Sequence, residues 1–583
     1  MFKNTSVKFT LHKPFLFLMF FLMVHSIDAQ IFPAKNYPKG YFIYPVEARI
    51  SLSANFGELR TNHYHMGLDC RTNQVENRPV YAAADGYISR VSVAAFGFGR
   101  AIYINHSNGL TTLYGHLNNF YPELEEYLKE QQYQLESWNV SLNFPPELFP
   151  VKKGKLIAYS GNTGGSQGPH VHFEIRNTQT DKVLNPLLFG FPIPDNVPPT
   201  LVHLYMYDRC KSTYSQSPKQ LPIKNVSGKY TTVAGVTTVN TDKISFGITA
   251  NDKQTGSNNP NGIYEAVIYF DGLPLSGFQL DNISYDETRY MNAHIDYRTK
   301  SNGGPYIQHL SRLPGYAPGV YTDINGDGVI ELKDDKIHDI KIVVKDANGN
   351  ASNLEFKIKK GLIRETGFQG DSVQYFQQKQ FHPGYVNIFE NENLQLILPP
   401  LALYDSVAFT HSQKPAVSAD TYSDVYSVLS GLVPVQEAFT IKLKSNQQIP
   451  DSVSDKILMK RTWKGRSELV KPEKVGDWYV AKFRTFGSFE LIKDDEPPVI
   501  GGIANNADLS KVSRITFTPK DNSDAVASFH AELNGKWLRF TNDKGRNFIY
   551  VFDEKCPRGK NQLKITVKDL AGNVSERVIN FVR

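Results

Sequence analysis

Gly168-Pro169-His170-Val171-His172-Phe173-Glu174-Ile175-Arg176 is the stretch on which the fold of this chain turns. Polar and apolar side chains alternate through it, the period of a β-strand with one buried face. His170 and His172, two residues apart, then share a face and can point into one cleft. Segments of the same kind lie upstream: Val80-Tyr81-Ala82-Ala83, Gly86 to Val93, Ala101 to Asn105, Leu110 to Tyr114 and Leu156 to Ser160. Gly and Asn turns such as Ser107-Asn108-Gly109 separate them, which predicts an antiparallel β-fold built from hairpins. One segment breaks the pattern. Pro122 to Ser137 is charged, with Leu124, Tyr127, Leu128 and Tyr133 near helical spacing, and predicts a short helix inside an insertion of about residues 118–150.

The rest of the chain is mainly β as well. At 583 residues with 31 Tyr and 36 Phe, it is too long for one core and rich in residues that favour pleated surfaces. Residues 1–29 read as an export leader: Lys3, Lys8 and Lys13, then the apolar run Phe15 to Val24, then a cleavage site after Ala29. That run is too short to cross a hydrocarbon layer of about 30 Å, so no integral membrane insertion is expected once the leader is removed. The expected location is exported: periplasmic, cell-surface or secreted. A net charge of +6 with no dense Lys/Arg stripe argues against a nucleic-acid partner. Three scattered cysteines, Cys70, Cys210 and Cys556, exclude a disulfide framework. Cys70 reads as a small buried apolar residue on the face opposite Asp69.

Four pieces follow from punctuation and repeats. Residues 31–194 hold the strands described above. Residues 195–364 and 494–583 look like two copies of one immunoglobulin-like β-sandwich. They open on Asp195-Asn196-Val197-Pro198-Pro199-Thr200 and Asp494-Asp495-Glu496-Pro497-Pro498-Val499. They close on Val344-Lys345-Asp346-Ala347-Asn348-Gly349-Asn350 and Val567-Lys568-Asp569-Leu570-Ala571-Gly572-Asn573. Asp271-Gly272 and Asn534-Gly535 are hairpin signals at matching places. Residues 365–493 read as a third β-sandwich of unassigned type.

Three motifs in the first piece belong together: His63-Tyr64-His65-Met66-Gly67-Leu68-Asp69 with its lead-in Asn55-Phe56-Gly57-Glu58-Leu59-Arg60, then Tyr114-Gly115-His116-Leu117, then Gly161-Asn162-Thr163-Gly164 with Gly168 to Glu174. A catalytic zinc needs three protein ligands and an open position for water, and His and Asp suit it. A single His-x-His is weak, and His63-Tyr64-His65 has the same spacing as His170-Val171-His172. The ordered combination of all three motifs is specific.

These stretches resemble the LytM/lysostaphin-type zinc endopeptidases, which cleave peptide bonds in bacterial peptidoglycan; the resemblance spans about Asn55 to Arg176. It implies that His65, Asp69 and His172 hold Zn²⁺. It implies that His116 and His170 orient and deprotonate the attacking water and steady the oxyanion. His63 then falls outside the ligand pattern, Arg60 faces substrate or pairs with an acid, and Glu174 supports a ligand imidazole. The expected function is an exported zinc metallo-endopeptidase acting on stem peptides or cross-links, with peptidoglycan as substrate and envelope proteins as further partners. The alternative is a catalytically silent LytM-like scaffold that binds wall or partner hydrolases. The insertion after His116 departs from the family and is expected to narrow the cleft, gate it, or bind a partner.

A second metal expectation lies in 323–334. Asp323, Asn325 and Asp327 occupy positions 1, 3 and 5 of a calcium loop, Gly328 position 6, Val329 the carbonyl position 7, and Asp334 position 12, where a sensor loop has Glu. It predicts a structural Ca²⁺; an ion-free Asn/Asp/Gly hairpin is the alternative.

Overall fold

The computed structural model describes residues 31–33, 35–47, 50–317, 319–361, 379–523 and 526–583. The leader expected over residues 1–29 lies outside them, as does the start of the third piece up to residue 378. Strands dominate throughout, in agreement with the mainly β expectation.

The site-bearing part runs through β1 (Leu52–Ala54), β2 (Leu59–Arg60), β3 (His63–Tyr64), β4 (Leu68–Arg71), β5 (Pro79–Tyr81), β6 (Gly86–Val93), β7 (Arg100–Asn105), β8 (Leu110–Gly115) and β9 (Leu117–Phe120). After helix α1 (Pro122–Gln134) come β10 (Val140–Asn143), β11 (Pro150–Val151), β12 (Leu156–Ser160), β13 (His170–Asn177) and β14 (Val183–Leu184). The larger sheet has the order β1-β4-β13-β8-β7-β6-β10, and β5-β12-β9 form a smaller one. Val171, Phe173 and Ile175 of β13, with Leu68 and Cys70 of β4, are buried in one cluster with Val80, Leu117, Phe120, Ile157 and Ala158 of the smaller sheet. Each such large side chain contributes about 1.5–3 kcal/mol. A slip of one residue would turn them all to the wrong face, so the apolar face fixes the register of the polar one.

The helix of the insertion forms where the spacing predicts and stops earlier. Pro122 opens it, Glu123 and Glu125 complement the N-terminal dipole, and Leu124 and Leu128 are buried. It ends at Gln134 rather than Ser137 because Glu136 turns into the left-handed region at φ 47°. Its outer face meets the last piece of the chain: Lys129 Nζ lies 2.9 Å from both Asp553 and Glu554. Arg539 Nη1 donates to Gln132 Oε1 at 2.9 Å, and Tyr133 packs edge-on against Trp537 with ring centroids 5.3 Å apart.

In the second piece Thr200–Asp208 and Lys243–Asn251 pair in one sheet, and Glu265–Phe270, Leu273–Gln279, Ile337–Lys345 and Ala351–Lys360 belong to another. The last piece repeats the closing hairpin as Lys560–Asp569 and Val574–Val582. Both Asp271-Gly272 and Asn534-Gly535 carry two positive φ values in succession, 48° and 83° against 51° and 77°, the tight hairpin geometry expected of them. Between these pieces, Leu394–Leu398, Pro434–Lys444 and Trp478–Thr485 form one five-stranded sheet with two neighbours, and Val425–Val428, Ile457–Trp463 and Gly487–Lys493 lie in a second. The pieces are not strung loosely. Phe56, Tyr64 and Met66 from the site-bearing part sit in the same buried cluster as Leu204, Phe246, Phe278 and Ile342, and β14 pairs with Asn282–Ile283. Among the described residues no helix is long and apolar enough to cross a membrane.

Candidate metal centre

β4, β13 and β8 lie side by side at the middle of the larger sheet, with His172 opposite both Asp69 and Gly115. Because the apolar face of β13 is buried, His170, His172, Glu174 and Arg176 project from the other side. His65 arrives from the turn between β3 and β4. The Gly67 of that turn has a steric reason: a Cβ there would lie 2.4 Å from the Phe173 carbonyl oxygen and 2.9 Å from His172 Nε2. Any side chain would push β4 away from β13.

Three electron-rich atoms converge on one point. His65 Nε2 is 2.9 Å from Asp69 Oδ1 and 3.1 Å from His172 Nδ1, and His172 Nδ1 is 3.0 Å from Asp69 Oδ1. The remaining ring nitrogens are already committed. His65 Nδ1 donates to the Asn55 carbonyl at 2.7 Å, and His172 Nε2 donates to Glu174 Oε1 at 2.9 Å. Both imidazoles therefore turn lone pairs toward Asp69, an arrangement that needs a cation at its centre. The mutual distances approximate the edge of a tetrahedron around zinc, about 3.3 Å for bonds of about 2.0 Å. Among the described residues His65, Asp69 and His172 are the group with histidine ligands that meets this closeness. The residues fit the metal.

Charge around the centre points the same way. Burial disfavours a charged His172, yet with no cation at the centre Asp69 and Glu174 outweigh it and lift its pKa to about 9, so that a proton on Nδ1 takes the place a metal would fill. Burial likewise opposes the Asp69 anion, while His65, His170 and His172 hold its carboxyl well below the usual range. Glu174 is fully buried but kept at about 2 by Arg176, His172 and Tyr285. Its Oε2 accepts from Arg176 Nε at 2.6 Å and its Oε1 from the Tyr285 hydroxyl at 2.5 Å. A buried anion thus backs the metal-facing imidazole.

His116 and His170 flank the centre with ring centroids 4.8 Å apart. His116 holds φ at 60°, a left-handed conformation unusual for a side-chain-bearing residue. Its Nδ1 donates to the Thr163 carbonyl at 2.8 Å, and burial with His170 and His172 nearby pushes its pKa down to about 3, so it is a neutral imidazole. His170 Nδ1 donates to the Gly168 carbonyl at 2.8 Å, leaving Nε2 3.3 Å from Asp69 Oδ1. The lining of the surrounding cleft, about 1040 Å³, includes Arg60, Gln74, Phe98, Ser166, Tyr285 and Tyr306 besides the histidines.

His65, Asp69, His172, His116 and His170 are brought together as the motifs predict. His63 is exposed at the cleft rim, its Nδ1 donating to the Thr61 carbonyl. Arg60 pairs with Glu58 at 3.0 Å and approaches Asp69 Oδ2 at 3.9 Å. None of residues 118–150 lines the cleft; that insertion carries the last piece of the chain instead. Two contributions escaped the motifs. Tyr285 reaches Glu174 from the second piece. Asp543 and Lys544 reach the loop of Gly161 to Gly168 from the last: Gly164 N donates to Asp543 Oδ1 at 2.7 Å and Lys544 Nζ to the Ser166 carbonyl at 2.9 Å.

The calcium loop gains no support. Asp323 is forked by Arg312, Nε lying 3.1 Å from each oxygen, and Asn325 Nδ2 donates to the Pro274 carbonyl. Asp327 Oδ1 accepts from Val329 N. Asp334 accepts from Lys336 N and from His338 Nε2. Among the described residues Asp323, Asp327 and Asp334 do not form a convergent group.

Residues 63–133 and 148–186 match the profile of peptidase family M23, and residues 378–494 match that of a Zu5-like domain. An uncharacterized metalloprotease of Haemophilus influenzae is 31% identical over 160 residues, 26% of this chain and 28% of that protein. The DD-carboxypeptidase/endopeptidase Mpg of Neisseria meningitidis serogroup B is 30% identical over 171 residues, 29% of this chain and 30% of that one. The matched stretch thus spans less than a third of these relatives' length. Among solved structures, the catalytic domain of the prophage-encoded M23 protein EnpA from Enterococcus faecalis aligns at 21% identity with a TM-score of 0.20, covering 25% of this chain and 96% of that one.

Proposed function

From the match of residues 63–133 and 148–186 to peptidase family M23, we propose that this protein is an exported zinc metallo-endopeptidase that hydrolyses peptide bonds in peptidoglycan stem peptides or cross-links. The convergence of His65 Nε2, Asp69 Oδ1 and His172 Nδ1, with each imidazole's other nitrogen already donating, carries the reading. Zinc held there supplies Lewis acidity, activating water and polarising the scissile carbonyl.

The other residues handle protons and position. With Nδ1 of each engaged by a carbonyl, His170 Nε2 lies 3.3 Å from Asp69 Oδ1 and the His116 ring 5.9 Å from that of His172. A neutral imidazole there accepts the proton of the attacking water and returns it to the leaving amine. The second, carrying an N–H, steadies negative charge on the scissile oxygen. Glu174 keeps His172 in the tautomer that turns Nδ1 inward. Relatives named for peptidoglycan DD-endopeptidase activity, such as ShyA of Vibrio cholerae, and for DD-carboxypeptidase/endopeptidase activity make the wall peptides the substrate to test first. A silent scaffold is disfavoured because all five metal and proton-transfer positions are present and assembled.

The test is digestion of purified peptidoglycan by zinc-loaded protein, read by mass spectrometry of released muropeptides. New peptide termini should accumulate with the wild type and not with His172→Ala. Identical product profiles from the two would remove the enzyme from the account.

A further inference from the structure

Away from the metal centre, two other groups of acidic side chains converge: Asp195, Asp252 and Asp346 in the second piece, and Asp494, Asp521 and Asp569 in the last. They occupy equivalent places in the repeat. Asp195 and Asp494 open their modules three residues ahead of the Pro-Pro pair, and Asp346 and Asp569 belong to the closing Val-Lys-Asp turns. Thr200, next after its Pro-Pro, pairs with Asn251, which precedes Asp252. Val499 in the same position pairs with Lys520, which precedes Asp521.

The scaffold around each group is also duplicated. Asn350 Nδ2 donates to Asp346 Oδ2 at 2.7 Å and to the Asp195 carbonyl at 3.3 Å. Asn573 Nδ2 donates to Asp569 Oδ2 and to the Asp494 carbonyl, both at 2.8 Å. Backbone amides of Asn348 and Asn350, or of Gly572 and Asn573, hold the turn carboxylate in place.

What these bonds leave over points to a ligand. Asp252 is 5% exposed, yet its Oδ1 is buried without a hydrogen-bond partner. Asp494 is 4% exposed and its Oδ2 is likewise unmatched, as is Oδ1 of Asp521. Among the described residues no Lys or Arg forms an ion pair with any of the six aspartates. Burial, with Asp195 and Asp346 beside it, pushes the Asp252 carboxyl up to about 7. Burial and the neighbouring Asp569 and Asp521 raise Asp494 too. Two buried carboxylates and a half-buried third are poorly accommodated as anions in one pocket without a positive charge between them.

We propose that the Asp195–Asp252–Asp346 and Asp494–Asp521–Asp569 triads are a matched pair of calcium sites, one at the mouth of each repeated module. The donors are all oxygen, the set a hard cation takes. Within each triad, ligand atoms lie within 4.8 Å of one another, the spread that bonds of about 2.3–2.6 Å to one Ca²⁺ allow. Each ion ties the segment leading into its module to the residue that follows its pairing partner, Asn251 or Lys520, and to the closing turn. It therefore sets how the module leaves the preceding piece, and for the last module that angle bears on the Asp543–Lys544 tip at the active-site loop.

Equilibrium dialysis of the zinc-saturated full chain against radioactive calcium, at about 1 mM free ion, decides the matter. The wild type should bind two calcium ions, Asp252→Asn one, Asp494→Asn one, and the double variant none, while Asp327→Ala in the 323–334 loop keeps both. In calcium-free buffer the Asn variants should melt no lower than the wild type, because the substitution removes like-charge repulsion; added calcium should raise the melting temperature of the wild type and not of the double variant. No binding by the wild type, or an unchanged count in Asp252→Asn and Asp494→Asn, overturns the proposal. A wild type whose melting ignores calcium overturns it as well. None of these readouts depends on peptidase activity.

Discussion

Replacing Glu174 by Gln tests whether the buried carboxylate tunes the metal centre. The carboxylate accepts from His172 Nε2 at 2.9 Å, Tyr285 Oη at 2.5 Å and Arg176 Nε at 2.6 Å, and it is fully buried. A glutamine has the same shape but only one acceptor oxygen. Its NH₂ must face either His172 and Tyr285 or Arg176, setting donor against donor on one side. Loss of such a partner behind a ligating histidine typically weakens metal affinity by about 10–100-fold, roughly 1.4–2.7 kcal/mol. The assay is a competition titration of zinc against a chromophoric chelator, with thermal melting in parallel, since Arg176 also loses its main counter-charge. The account predicts weaker zinc binding at a temperature where the variant remains folded. Zinc affinity within about twofold of wild type, alongside complete loss in Asp69→Ala, would refute the role given to Glu174.

Removing the tip of the last module should slow catalysis without freeing the metal. The double substitution Asp543→Ala, Lys544→Ala deletes the bonds to Gly164 N and the Ser166 carbonyl; steady-state kinetics should show a lower kcat with zinc affinity unchanged, and an unchanged kcat would make the tip a spectator. Acid should act on the second piece through His294 from about pH 6.5 downward. His294 is fully buried, its ring between Tyr321 Oη at 2.9 Å and Gln308 Oε1 at 3.0 Å, and burial pushes its pKa from 6.5 to about 3. Below pH 6.5 the unfolded chain takes a proton that the folded chain refuses, so stability is full above that pH and declines as pH falls toward 3, by up to about 1.4 kcal/mol per pH unit for this group. Urea midpoints at descending pH should fall less steeply in His294→Gln than in the wild type, and equal slopes would contradict the assignment.

The centre was legible because its parts are local and strand-borne. His170 and His172 advertise a shared face by their spacing, and Asp69 sits opposite His172 because Leu68 and Cys70 must bury the other side of β4. The steric need for Gly67 explains why the motif reads His-x-Gly-x-Asp. Tyr285, Asp543 and Lys544 left no such trace. They come from modules far along the chain and owe their positions to packing between modules, which no local period encodes. The insertion shows the same limit. Its helix was readable from Leu124 and Leu128, but its outer face makes sense only once Lys129, Gln132 and Tyr133 are seen against Asp553, Arg539 and Trp537. The acidic triads were half visible: the repeated ends display Asp195, Asp346, Asp494 and Asp569. Asp252 and Asp521 lie in dissimilar surroundings that only strand pairing brings into line. The 323–334 loop carries the reverse lesson, since a matching pattern of oxygens fails to converge when Arg312 and His338 claim its carboxylates.

The most direct measurement is a zinc titration of metal-stripped protein on purified peptidoglycan, following release of new peptide termini against bound metal. The account predicts that activity rises in proportion to zinc and saturates at one ion per chain, and that His65→Ala, Asp69→Ala and His172→Ala remain inactive at the same zinc levels. Release of termini by the metal-free chain, or by the ligand variants, would contradict it.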